Sequence, residues 1–124
     1  MSQINTGNFD SDASVVLCGA SAYEQKYYLN ESFKNLPEQI KNELQIMCVL
    51  FTEDIGGVFL LEFDADGTLE FRTEAKSDDF SYDEIGCALK IKELRSTKED
   101  LLRSLELYYK ILTGKVRPQD FPED

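Results

Sequence analysis

Carboxylates are the side chains of this chain with the widest chemical scope. Residues 53 to 84 hold eleven Asp or Glu against two basic residues, a local net charge of −9 in a chain whose net charge is −11. Two groups stand out by their spacing. Glu62, Asp64, Asp66 and Glu70 surround Asp64-Ala65-Asp66-Gly67, a run that matches part of a calcium loop. The match is incomplete: with Asp64 and Asp66 as third and fifth positions, Thr73 stands where an EF-hand needs its bidentate Glu. Asp78, Asp79, Asp83 and Glu84 form the second group, a set of ligand type for Mg²⁺ and equally the acids favoured at the positive start of a helix. A tight turn and a helix start explain both groups with fewer assumptions, so no catalytic residue, metal ligand or cofactor is assigned.

The chain contains no histidine, which removes the commonest general base and metal ligand. It has no phosphate-binding glycine loop, nucleophile elbow or metalloprotease helix. Cys18, Cys48 and Cys87 are widely spaced, lack CxxC spacing and lie beside aliphatic residues, which reads as three small core hydrophobes. The negative net charge argues against nucleic-acid binding through a general basic surface. Residues 85 to 117 carry eight bases and four acids, net +4, so the acidic segment is followed by a mildly basic one. The expected function is therefore a non-enzymatic interaction protein offering Glu53, Asp54, Glu62, Asp64, Asp66, Glu70, Asp78, Asp79, Asp83 and Glu84 to a basic protein partner. The alternative is a small metal- or ligand-binding protein, or enzyme, built on clustered carboxylates.

These acids must be positioned by the elements around them. Val58 to Phe63 and Thr68 to Thr73 alternate as a half-buried hairpin, with Phe59, Leu61, Phe63, Leu69 and Phe71 on one face and Glu62, Glu70 and Arg72 turned to water. Asp66-Gly67 supplies the turn, since glycine takes a positive φ at little steric cost. Upstream, Leu36, Ile40, Leu44, Met47, Cys48, Phe51 and Ile55 recur at threes and fours, as on one face of a helix with Asn35 as N-cap, Pro37 in the first turn and Gly56 at its end. Ile46 to Phe51 also fits a buried strand, and both readings stand. Val15 to Cys18 and Tyr23 to Leu29 are predicted as two further strands.

Ser81 with Glu84 makes a capping box for a final helix running to Thr113. Cys87, Leu94, Leu101 and Tyr108 form one heptad series, and Ile91, Lys98, Leu105 and Leu112 the other. Unbroken, such a helix spans about 48 Å, longer than a domain of this size; a break at Ser96-Thr97, with Ser96 and Glu99 capping a second helix, is the alternative. Leu94, Leu101, Leu102, Leu105, Tyr108, Tyr109 and Leu112 make an apolar stripe too wide for one sheet, which predicts a homodimer through this helix.

The 124 residues suffice for one domain with a single core, and 42% hydrophobic content with eight Phe and six Tyr argues against disorder. The expected architecture is α+β: a small antiparallel sheet of three or four strands packed against two long helices. Its core is expected to include Leu17, Ile85 and Leu89. Residues 1–13 read as a disordered tail, 14–117 as the domain and 118–124 as a frayed end. No apolar run is long enough for a bilayer and the polar start lacks signal-peptide character, so a cytoplasmic location and no membrane contact are expected.

The order Gly19, Ala22-Tyr23-Glu24-Gln25-Lys26-Tyr27-Tyr28, Leu36-Pro37-Glu38, Leu44, Phe51-Thr52-Glu53-Asp54, Gly56-Gly57 and Asp83-Glu84-Ile85-Gly86 resembles a family of short, acidic, uncharacterised cytosolic proteins from anaerobic Gram-positive bacteria. The resemblance covers residues 15 to 112. It implies a bacterial cytosolic protein and lends no activity, cofactor or functional residue.

Overall fold

The computed structural model describes residues 14–114. The tails expected at 1–13 and 118–124 lie outside the described residues. Along the chain run β1 (Val15–Ser21), β2 (Lys26–Leu29), a 3₁₀ turn (Glu31–Phe33), α1 (Glu38–Ile55), β3 (Val58–Phe63), β4 (Leu69–Glu74), α2 (Glu84–Thr97) and α3 (Glu99–Leu112). The four strands form one antiparallel sheet in the order β2-β1-β3-β4. The fold is α+β.

The sheet's inner face is set by pairing partners. Cys18 lies opposite Leu61 and Leu29, and Ala20 opposite Phe59 and Tyr27, so these side chains share the face that the helices cover. Phe51 of α1 stacks on Phe59 with ring centroids 3.9 Å apart, and Tyr109 of α3 stacks on Phe63 at 4.1 Å. Phe33, from the 3₁₀ turn, closes this end against Phe63 and Tyr109. Leu17, Cys18, Leu44, Cys48, Phe59, Leu61 and Phe63 are fully buried.

The segment with two readings is helical throughout, because Leu44, Met47, Cys48, Phe51 and Ile55 bury one continuous helical face. Asn35 does not cap it. Pro37 holds the N-cap position without a side-chain bond, and Asn30 instead caps the 3₁₀ turn through Ser32 while its amide donates to the Val16 carbonyl at 2.7 Å. That turn draws Phe33 and Leu36 into the core, which moves the start of α1 past Asn35.

The final helix is two helices, so there are three rather than two; α1 and α3 pack on the sheet, and α2 packs mainly against those two helices. The break falls at Lys98 (φ −111°, ψ 20°), not at Ser96-Thr97. Thr97 keeps its hydroxyl on the Glu93 carbonyl, and Lys98 donates to Glu43 of α1 at 2.9 Å. The bend lets α2 lie along α1 through Lys90–Asp54 and Lys98–Glu43 while α3 turns to the open end of the sheet. Asp83, not Ser81, caps α2, accepting from Gly86 N–H at 2.8 Å. This rotates Ile85 and Leu89 outward, to 77% and 64% exposure, and removes both from the expected core.

Candidate functional site

The ten acids expected to form one surface are divided between two ends of the sheet and its outer face. Asp64 and Asp66 sit at the β3–β4 turn, where Asp64 Oδ1 accepts N–H bonds from Asp66 and Thr68, each 2.9 Å, and Gly67 lies against Tyr109 and Lys110. β3 then runs six residues, roughly 20 Å, to the opposite end. Bases of α2 reach back to two of the acids: Lys90 to Asp54 at 3.3 Å and Arg95 to Glu70 at 3.2 Å. The basic segment thus offsets part of the charge that precedes it in the chain.

Glu62 does not turn to water. It is 7% exposed on the outer face of the sheet, opposite Glu70 and Val16, and Arg72 holds it at 3.2 Å. Leaving that carboxylate without Arg72 would cost far more than an exposed pair does. Its burial follows from its place on a central strand, where neighbours on both sides exclude solvent.

The far end gathers the remaining acids around a small framework. Ala22 N–H donates to the Gly57 carbonyl at 2.8 Å, tying the β1–β2 turn to the start of β3. Tyr23 extends the tie: its hydroxyl donates to Asp79 Oδ2 at 2.6 Å and accepts from Lys76 N–H at 2.9 Å, while Lys76 Nζ lies 4.6 Å from the centre of its ring. Asp79 also receives the Ser81 N–H and hydroxyl. These donors, Tyr23 foremost, hold Asp79 below the ordinary carboxylate range, and Asp79 in turn raises the Tyr23 hydroxyl. Tyr82 packs over Gly57, and its hydroxyl reaches Cys87 Sγ at 3.2 Å. Glu53, Asp78 and Glu84 are exposed around this framework.

Two clefts open beside it. One of about 330 Å³ is lined by Ser21, Tyr23, Glu24, Val58, Glu74 and Lys76. The other, about 490 Å³, lies between the β1–β2 turn and α1, with Lys26, Tyr27, Gln45, Thr52 and Glu53 among its walls. The Tyr27 hydroxyl is buried without a hydrogen-bond partner among the described residues, and burial, then the neighbouring Cys18 and Cys48, pushes it upward. Cys18 and Cys48 place their sulfurs 3.8 Å apart in the core, where each other's presence and burial raise the Cys48 thiol. Among the described residues no three His, Cys, Asp or Glu side chains are grouped to hold a metal ion.

Sequence spacing gave no sign of the Tyr23–Asp79 contact, which joins residues 56 apart. Nor did it show Glu106 accepting the free N–H of Leu69 on edge strand β4 at 2.8 Å, instead of pairing with Lys110 within its own helix.

The apolar stripe expected to bind a second copy is occupied within the chain. Leu94, Leu101, Leu102, Leu105 and Tyr109 are buried in its own core, and Tyr108 packs partly against it; Leu112 is exposed. The break at Lys98 turns the stripe inward, so the motive for a helix-mediated dimer is gone.

A family model spans residues 14–117, which include every strand and helix described above. The chain belongs to DUF6145, a family of unknown function. Comparison with curated proteins and with solved structures returned no match. No helix among the described residues is long and apolar enough to cross a membrane.

Proposed function

We propose that this DUF6145 chain is a non-enzymatic interaction protein of the bacterial cytoplasm, working as a homodimer and presenting one acidic end to a basic protein partner. The supporting observation is the grouping of Glu53, Asp78, Asp79, Asp83 and Glu84 with Glu24 around the Tyr23 tie, while Asp54 and Glu70 are neutralised by α2 and Glu74 by Arg72. A rigid backbone under exposed carboxylates loses little conformational entropy on binding, and like charges held together steer a cationic partner. Asp64 and Asp66, at the opposite end, take no part in this surface.

Calorimetry with an oligolysine peptide tests the reading. Binding is expected at low ionic strength, weakening several-fold as salt shortens the screening length to about 8 Å. Asp78→Lys with Glu84→Lys should abolish it, whereas Asp66→Lys should not. No heat at low salt, or equal loss in Asp66→Lys, refutes the proposed surface. Titration with Ca²⁺ and Mg²⁺ tests the carboxylate alternative, which requires saturable metal binding.

A further inference from the structure

Among the described residues no helix covers the outer face of the sheet, and its residues follow from the strand register. One row across it reads Lys26, Ser21, Val58, Glu74; the next reads Tyr28, Gly19, Leu60, Arg72. Val16 and Glu62 begin a third. Tyr28 is 55% exposed, and Leu60 and Val58 are half-buried although no described element lies above them. Gly19 has room for no side chain, because Leu60 Cδ2 lies over it, so the middle of the face is flat and apolar. The charges are Lys26 on the β2 edge, Arg72 and Glu74 on the β4 edge, and the buried Glu62 on β3; Arg72 bridges Glu62 at 3.2 Å and Glu74 at 3.3 Å.

We infer that this face is the homodimer interface, formed by two copies packing sheet against sheet about a two-fold axis parallel to the strands, between β1 and β3. The inference rests on the homodimer reading above and names its surface. Such an axis reverses the strand order while keeping each row level. Lys26 then faces Glu74 of the second copy, Tyr28 faces Arg72, and Gly19 faces Leu60. The first two rows are complementary to themselves: a cation meets an anion, a ring meets a guanidinium, and the two Leu60 side chains, each lying over its own Gly19, meet near the axis; in the third row Val16 faces Glu62, which Arg72 keeps paired. Aromatic–guanidinium contact and apolar burial are both favourable at the roughly 10 Å spacing of stacked sheets. The opposite choice, an axis perpendicular to the strands, keeps the strand order and sets Lys26 on the side of the second copy's β2, away from Glu74.

The face measures about 19 Å across four strands and about 20 Å along them. That is about half the standard interface of roughly 800 Å² per partner, so the dimer is a weak, transient one. Within one chain Lys26 and Glu74 are three strand spacings apart, about 14 Å, and cannot pair. Their coupling therefore reports contact between copies.

Sedimentation equilibrium of the full chain over the micromolar range provides the test. The wild type is expected to self-associate above the 14.2 kDa monomer. Lys26→Glu alone and Glu74→Lys alone should each weaken association at least tenfold, since each sets like charges opposite one another. Mixed in equal amounts, the two variants should associate as the wild type does, because every facing pair is again opposite in sign. Far-UV circular dichroism confirms that each variant remains folded. A wild type that stays monomeric overturns the dimer and this interface together. A wild-type dimer unaffected by either variant, or a mixture no tighter than its components, overturns the interface alone.

Discussion

Gly57 and Gly67 offer a controlled test of how the acidic end is built. Both have left-handed φ, +70° and +86°. A Cβ at Gly67 would meet Lys110 Cε at 3.4 Å, the movable end of a long side chain. At Gly57 it would meet the Glu74 carbonyl oxygen at 2.5 Å and the Tyr82 ring at 2.6 Å. Gly67→Ala should therefore cost only the backbone strain of a left-handed residue, about 1–2 kcal/mol. Gly57→Ala bears the same strain and must also displace the end of β4 or the ring, adding about 1–3 kcal/mol as overpacking does. Against a total stability of roughly 5–15 kcal/mol, the difference is readily measured. Urea unfolding with an unchanged m-value is the assay, and Gly57→Ala should unfold at clearly lower denaturant than Gly67→Ala. Midpoints that coincide would show that neither β4 nor Tyr82 presses on Gly57, and the account of this end would fail.

Phe63→Ala should lose about 3–5 kcal/mol, because the ring is fully buried between Phe33 and Tyr109, whereas Phe80→Ala, at 93% exposure, should stay within about 0.5 kcal/mol. Carboxyl NMR titration should find Asp79 below its ordinary value of 3.8, and Tyr23→Phe should move it upward. The sign follows from the depression: the Tyr23–Asp79 contact adds stability above the ordinary carboxylate pKa and loses it as pH falls through Asp79's own lower value. An Asp79 that titrates identically in both proteins would remove the tie as a feature of the folded state.

Much of the fold was legible because it is written in short-range pattern. Alternation of Phe59, Leu61 and Phe63 specifies a strand buried on one side, while the spacing of Leu44, Met47, Phe51 and Ile55 fits a helix face in a run, Ile46 to Phe51, that local pattern leaves open to a buried strand as well and packing makes helical. Gly67 with a positive φ and Asp64 accepting two N–H bonds settle the hairpin turn locally. The α+β class, the β3–β4 hairpin and the buried cysteines all follow from such signals.

What the chain could not reveal by itself depends on residues distant in sequence. The heptad series from Cys87 to Tyr108 continues across Lys98, and periodicity has no reason to stop there; the break coincides with the ion pair that ties Lys98 to Glu43 of α1. Glu62 has the alternation of a solvent-facing residue, yet its neighbours on both sides bury it and Arg72 makes that tolerable. The acids between Glu53 and Glu84 form one cluster in sequence and separate places in space, because β3 and β4 carry Asp64 and Asp66 to the opposite end from Asp78 and Glu84. Local sequence determined the α+β class, the hairpin and most of the buried faces. Tertiary structure decided where charges meet, because electrostatic pairing follows distance through space and strand register can set residues many positions apart side by side.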